Sequence, residues 1–384
     1  MKKMLASVTF IIVLLSSCKK ENFVAESSTS SSIQDSKTAA VSSAVFVGDN
    51  TSFYCINAAN GTVIWKNYTN TASMCAPAYY NSNVYYNAKD TVYCLNARTG
   101  ALVWKSHVGN ALQSCLYVRD GIVLINNNTK IVCLNAATGA TKWKFLYGAT
   151  TRLIVSSPTA DGNLVFTSGG SDHTLYSLNA GTGAVVWQRT FTGGNFGSGL
   201  ESSPCVSNGR VFITADSTFA LNENNGSVIW KDKLDGNGQA SSAIHNGRLI
   251  VPDGHLYSLN PATGTAYWTF FDTSLSNPTQ VFYSGADSNN IYTQCGYFTY
   301  KLLASNAAIF YDVYNGESSN TSFTVGDNKI VWVGYERGYL VCADAANGNT
   351  IWMFKFSDED VSSTPIIVTS KGQASYPDVS GMTN

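Results

Sequence analysis

The sequence predicts an all-β fold, an eight-bladed β-propeller of four-stranded antiparallel blades whose ring closes by pairing of N- and C-terminal strands. Three observations carry this. A phrase of the form Leu-Asn-Ala-x-Thr-Gly, with Trp four residues after the Gly, recurs along the chain with a period near 41. No window shows a helical 3.6 period of any length. Two and three residues after the Gly come consecutive apolar residues in four copies, Val63-Ile64, Leu102-Val103, Val185-Val186 and Val228-Ile229, which reads as a sheet covered on both faces. Sheets stacked radially around an axis meet that condition, whereas a two-sheet sandwich shows alternation.

The repeat units follow in order. The Gly/Trp pairs are Gly61/Trp65, Gly100/Trp104, Gly139/Trp143, Gly183/Trp187, Gly226/Trp230, Gly264/Trp268 and Gly348/Trp352. Their glycines stand 39, 39, 44, 43, 38 and 84 residues apart, so the last gap holds a worn copy. Leu302–Phe310 supplies it, with Asn306 at the Gly position and Phe310 at the Trp position. The Gly is required because a turn this tight needs a left-handed residue, and Asn is the next most tolerant. The Trp is expected to pack against the neighbouring blade and set blade spacing.

Within a repeat, four short strands are expected. In Val155–Gln188 the first opens at Ser156-Ser157-Pro158. Leu164–Thr167 is the second, Leu175–Leu178 the third and Ala184–Gln188 the fourth. Asp120-Gly121, Asp161-Gly162, Asn208-Gly209 and Asn246-Gly247 supply the positive φ that two-residue hairpins need. Lys66, Lys105, Lys144, Gln188 and Lys231 follow the Trp and blunt the outer edge strand. The first repeat begins at its second strand, Ala44–Gly48, and Ser362–Val368 is a spare first strand, so the C-terminus completes the N-terminal blade. Gln373–Val379 competes for the same slot and is assigned to an added edge or tail.

The N-terminus reads as a processing signal. Met1-Lys2-Lys3 is positively charged, and the apolar run Leu5–Leu15 falls short of the ~20 residues that span a bilayer. Leu15-Ser16-Ser17-Cys18 resembles the lipobox of bacterial lipoproteins, which implies a signal peptide over 1–17 and lipid on Cys18. Lys19 stands where Asp often retains such lipoproteins in the inner membrane, so the resemblance implies the outer membrane, on a face the sequence leaves open. Residues 18–43 form the lipidated end and a Ser-rich tether spanning roughly 25–30 Å, and 44–384 form the propeller.

Composition narrows the function. The net charge is -1 and charged residues make up 13% of the chain, too little basic surplus to neutralise a phosphate backbone, so nucleic acid is excluded as a partner. Cysteines other than Cys18 fall on separate strands: Cys55, Cys94, Cys133 and Cys342 on third strands, Cys75, Cys115 and Cys205 on first strands, and Cys295 at the end of a second. First and third strands of one blade stand about 9–10 Å apart, beyond disulfide reach, and no Cys-x-x-Cys suggests a metal. His107, His173, His245 and His255 form no ligand set. Gly193–Gly199 lacks the helix and Lys-Ser/Thr of a phosphate loop and reads as the longest inter-blade loop. Ser357-Asp358-Glu359-Asp360 reads as a solvated loop. No catalytic constellation and no metal site emerge.

The phrase Leu-Asn-Ala-x-Thr-Gly-x-x-x-Trp resembles the PQQ-type repeat shared by quinoprotein dehydrogenases and BamB-like outer-membrane assembly lipoproteins. The resemblance covers residues 44–368 and implies the propeller. Quinoprotein dehydrogenases carry an adjacent Cys-Cys pair over the quinone, together with calcium and a catalytic Asp. This chain has no adjacent cysteines and no Asp matched to that role, so no cofactor is expected and PQQ is not supported by its residues. Lipobox, tether and length resemble the BamB-like members, implying a non-catalytic envelope scaffold, a monomeric propeller binding envelope proteins. The alternatives are a surface lipoprotein reading glycans or another extracellular ligand through loops rich in Gly, Asn, Thr and Tyr, and a PQQ-dependent enzyme. Those loops are Asn67–Met74, Leu146–Ile154, Arg189–Glu201, Leu234–Gln239, Phe271–Gln280, Asp312–Asn320 and Phe356–Val361.

Overall fold

The computed structural model describes residues 43–69, 75–111, 114–127, 129–148, 156–169, 172–191, 200–236, 241–271, 281–295, 298–314, 323–334, 338–356 and 363–375. The signal sequence, Cys18, the tether up to residue 42, Gly193–Gly199, Ser357–Asp360 and Tyr376-Pro377-Asp378 lie outside them. No helix among the described residues is long and apolar enough to cross a membrane.

The described strands form eight antiparallel sheets, seven of four strands and one of five. Blades 2 to 8 each run in chain order from an inner strand to an outer one. Their inner strands are Ala78–Tyr80, Tyr117–Arg119, Thr159–Asp161, Cys205–Ser207, Ala243–His245, Val281–Ala286 and Thr324–Gly326. Blade 1 is assembled from both chain ends. Ala44–Gly48, Ser52–Asn57 and Val63–Tyr68 supply three strands, and Ile366–Val368 supplies the inner one by pairing with Ala44–Phe46. Ala374–Ser375 then pairs with Ile367-Val368 as a fifth strand at the inner edge, so the tail is an added edge and does not displace Ala44–Gly48.

Turn chemistry explains the phrase. Asn179 Oδ1 accepts the N–H groups of Gly181 and Thr182, both at 3.0 Å, and Gly183 N–H closes on the Asn179 carbonyl at 2.8 Å with φ +74°. Asn96 and Asn135 cap their turns in the same way. Asp120-Gly121, Asn208-Gly209 and Asn246-Gly247 have positive φ at both positions, as two-residue hairpins demand. In blade 4 the register shifts by one: Asp161 pairs with Leu164, which makes Gly162-Asn163 the turn instead of Asp161-Gly162.

The Trp positions join the blades into a ring. Each indole Nε1 donates to a carbonyl of the next blade: Trp65 to Ala97, Trp104 to Ala136, Trp143 to Ala180, Trp187 to Glu223, Trp230 to Pro261, Trp268 to Ala304 and Trp352 to Ala58, at 2.7–3.0 Å. The indole also lies flat on that blade's turn glycine. A Cβ on Gly61, Gly100, Gly139, Gly183, Gly226 or Gly264 would come within 2.5–2.9 Å of the ring. The glycine thus answers two demands, a left-handed backbone and contact with an indole face. Apolar side chains fill the slabs between blades. One cluster joins Val92, Cys94 and Trp104 of blade 2 to Val123, Ile125 and Val132 of blade 3, which is face-to-face sheet packing at about 10 Å.

Two sequence expectations are corrected. In the worn copy the turn position belongs to Ala307, whose N–H closes on the Leu303 carbonyl at 2.8 Å with φ +60°, and not to Asn306. Asn306 takes the place of the Thr, its Oδ1 accepting from Ala308 N–H at 3.1 Å. Tyr311, not Phe310, stands at the Trp position, and its hydroxyl donates to Ala345 O at 3.1 Å, completing the ring. The paired apolar residues of the outer strands are also not sandwiched: Val63 is 42% exposed and Leu102 55%. They fall at a register shift, where Ile56 pairs with Val63 and Cys55 with Trp65, leaving Ile64 as a bulge. In blade 3 the same two positions are Thr141 and Lys142, so neither is required to be apolar.

Candidate functional site

The inner strands of blades 2 to 6 line a channel cavity of about 410 Å³. They are short because each inner segment opens with Pro or a small residue, as in Ala76-Pro77, Ser157-Pro158 and Ser203-Pro204, and pairing begins only after it. The walls are mostly small or apolar, among them Ala78, Val118, Val206 and Ile244. Arg119 is the one charged side chain among the lining residues. The fifth strand of blade 1 stands on the channel side, beside Tyr79, whose hydroxyl lies 3.7 Å from where a Cβ on Gly372 would be.

Backbone hydrogen bonds that a short inner strand leaves unmade are supplied between blades. Cys115 N–H donates to Ser157 Oγ at 2.9 Å, Ser157 N–H to Ser203 Oγ at 2.8 Å and Ser203 N–H to Ser241 Oγ at 2.7 Å. The chain of serines steps around the channel over four successive blades. Ser363 does comparable work at the closure, accepting from Gly48 N–H and donating to Cys75 O, both at 3.2 Å. The Ser-Ser-Pro pattern opening the inner strands is therefore a blade-to-blade fastening, a role that sequence spacing does not reveal.

Above this chain lies a buried polar knot. Tyr147 Oη donates to Asn126 Oδ1 at 2.7 Å and shares a hydrogen bond with Thr167 Oγ1 at 2.6 Å. Asn126 Nδ2 donates to Ser156 O at 2.9 Å. Burial pushes the Tyr147 hydroxyl well above its ordinary value, so it stays a neutral donor. Asn87, at the same strand position as Asn126, donates from Nδ2 to Ala111 O, and its Oδ1 has no partner among the described residues.

The histidines stay apart. His107 Nδ1 lies 3.4 Å from Asp90 Oδ2 on an exposed edge. His245 ends the inner strand of blade 6, while His255 begins that blade's third strand at the opposite end. His255 joins a group that sequence spacing did not suggest: its Nδ1 is 3.2 Å from Asp235 Oδ2, Tyr257 Oη donates to the same oxygen at 2.8 Å, and Phe271 covers the imidazole at 4.6 Å between ring centres. Burial, then the bond to Asp235, pushes the Tyr257 hydroxyl up to about 12. Among the described residues no three of His, Cys, Asp and Glu converge as metal ligands. Most of the loop residues expected to read a ligand, including 149–154, 192–199 and 272–280, lie outside the described residues.

PQQ, the quinone that gives the repeat its name, is polyanionic, and its calcium partner takes oxygen ligands. Among the residues lining this cavity the charged side chain is Arg119, beside hydroxyls, prolines and aliphatics, and none is a carboxylate.

Comparison with known proteins agrees with the architecture. A PQQ-repeat family model described as "Outer membrane protein assembly factor BamB" matches residues 88–195 and 171–318. The chain belongs to this family. No curated protein matches it in sequence. Among solved structures, BamB from Moraxella catarrhalis superposes with a TM-score of 0.59 at 18% identity, covering 82% of this chain and 91% of that one. A computationally designed protein, Ika8, gives 0.63 at 13%, covering 79% and 95%. Quinohemoprotein alcohol dehydrogenase from Comamonas testosteroni gives 0.61 at 12%, covering 77% and 70%. At these identities the likeness is one of fold, shared alike by an assembly factor, a designed protein and an enzyme.

Proposed function

We propose that this BamB-like propeller is a non-catalytic binding scaffold of the cell envelope, anchored to the outer membrane through lipid on Cys18. Its partners are envelope proteins, and the rigid ring serves to present loops to them. The observation that carries the reading is the assembly-factor family model, which matches residues 88–195 and 171–318. Two features support it. The channel offers hydroxyl and aliphatic walls with one cation, a poor setting for charge-developing chemistry. The lipobox-like Leu15–Cys18, followed by a Ser-rich stretch, has the sequence pattern of a lipid anchor with a flexible tether.

The test is purification of the full-length lipidated protein from its own membrane, followed by identification of co-purifying proteins. Outer-membrane barrel-assembly components are expected, and their absence from repeated preparations counts against the scaffold. Mass spectrometry of the N-terminal peptide should find Cys18 acylated; an unmodified Cys18 refutes the anchor. Addition of PQQ and Ca²⁺ should leave no bound quinone absorbance, and stable binding would reopen the enzyme reading.

A further inference from the structure

Six of the eight cysteines outside the leader are accounted for as small residues on strands; Cys75 and Cys115 are different. Cys75 precedes the inner strand of blade 2 by three residues, and Cys115 precedes that of blade 3 by two. Ala78 and Tyr117 occupy matching places, each paired with the middle of its second strand, at Tyr85 and Leu124. Cys115 therefore holds the place that Ser157, Ser203 and Ser241 hold in the next three blades. There, each serine oxygen reaches back to the preceding blade and takes an N–H. The Cys115 sulfur reaches back in the same way and meets the Cys75 thiol, with which it is in hydrogen-bonding contact. Cys75 is buried, and its carbonyl is held from the other side by Ser363 Oγ. Cys115 is the more exposed of the two and borders the channel cavity.

We propose that Cys75 and Cys115 are a redox pair that closes to an inter-blade disulfide, tying blades 2 and 3 at the channel. The oxidant is a disulfide-bearing compound acting by thiol–disulfide exchange. The Cys115 thiolate attacks one sulfur of the oxidant, forming a mixed disulfide and releasing one thiolate. Cys75 then gives up its proton, and its sulfur attacks Cys115 Sγ, releasing the second thiolate. Two electrons pass to the oxidant and the two thiol protons go to the leaving thiolates, so the products are the Cys75–Cys115 disulfide and two small thiols. Exposure orders the steps: the channel admits the oxidant to Cys115, while Cys75 reacts only from inside. Cys55, Cys94, Cys133 and Cys342, by contrast, each sit on the third strand of a different blade.

The test is incubation of the full-length protein with oxidised glutathione, then denaturation, alkylation and non-reducing peptide mapping. Two fewer alkylatable thiols per chain and a cross-linked peptide joining Cys75 to Cys115 are expected. Unchanged thiols, a cross-link between any other pair, or a persistent glutathione adduct on Cys115 without a cross-link overturns the proposal. Cys115→Ser should abolish the loss of Cys75 from the alkylated pool, whereas Cys133→Ser should leave the cross-link intact. Should Cys115→Ser fail to fold, the wild-type map decides alone.

Discussion

The junction between blades 3 and 4 offers a quantitative test of how the repeat builds the ring. Trp143 donates to Ala180 O at 2.8 Å and lies on Gly183, where a Cβ would come within 2.6 Å of the indole Cε3. Truncation by Trp143→Ala removes a side chain only 8% exposed and should cost about 3–5 kcal/mol. Gly183→Ala meets two penalties. A Cβ at φ +74° costs about 1–2 kcal/mol, and forcing it against the indole adds about 1–3 kcal/mol. With the indole already gone, only the backbone penalty remains. The double variant should therefore be less destabilised than the sum of the singles, with a coupling of about 1–3 kcal/mol. Urea unfolding followed by circular dichroism, with m-values compared across all four proteins, measures it. Additivity within about 0.5 kcal/mol would show that the glycine is needed for its φ alone, and the account of the indole contact would fail.

Further outcomes follow from the same geometry. Ala307→Gly relieves a left-handed alanine and should raise stability by about 0.5–1 kcal/mol, read as a higher urea midpoint; a lower midpoint would contradict the corrected register of blade 7. Tyr147→Phe removes the donor to Asn126 and the hydroxyl oxygen that meets Thr167 from a buried knot and should cost about 1–2 kcal/mol by the same measurement, while an unchanged midpoint would mean the knot contributes nothing. Burial holds the His245 imidazole below its ordinary pKa, with Asp287 opposing and Arg248 reinforcing. The folded state then binds fewer protons than the unfolded one, so this contribution is present above about pH 6.5 and is lost as pH falls through the folded value. His245→Gln should flatten the pH dependence of the urea midpoint below about pH 6.5, and an unaltered profile would assign that dependence to other groups.

What the sequence could show was whatever recurs locally. Asn179, Thr182 and Gly183 shape one turn among themselves, so their spacing alone reveals a strand, a tight turn and an outer strand, and seven good copies make the ring legible. The spare strand near Ile366 was legible for the same reason, since the first repeat visibly lacked one. Local reading failed where a position had two candidate registers. By residue type Asn306 suits the left-handed turn position better than Ala307, yet Ala307 takes it, with the Tyr311 hydroxyl reaching Ala345 in the next blade. It failed again for Val63 and Ile64, whose pairing across a bulge leaves apolar side chains on the outer edge.

The channel belonged to tertiary structure altogether. Cys115 and Ser157 are 42 residues apart, Ser157 and Ser203 are 46 apart, and each serine hydroxyl meets its partner only because radial packing brings inner strands together. Cys75 and Cys115, judged within single blades, looked out of reach, yet the neighbouring blade supplies the contact. The sequence by itself determined the blade, its turn and the number of copies, because short-range sterics and hydrogen bonding fix those. Which residues face one another across blades, and so what the channel can hold or join, was decided by the angle and register at which eight copies close, a relation no single repeat encodes.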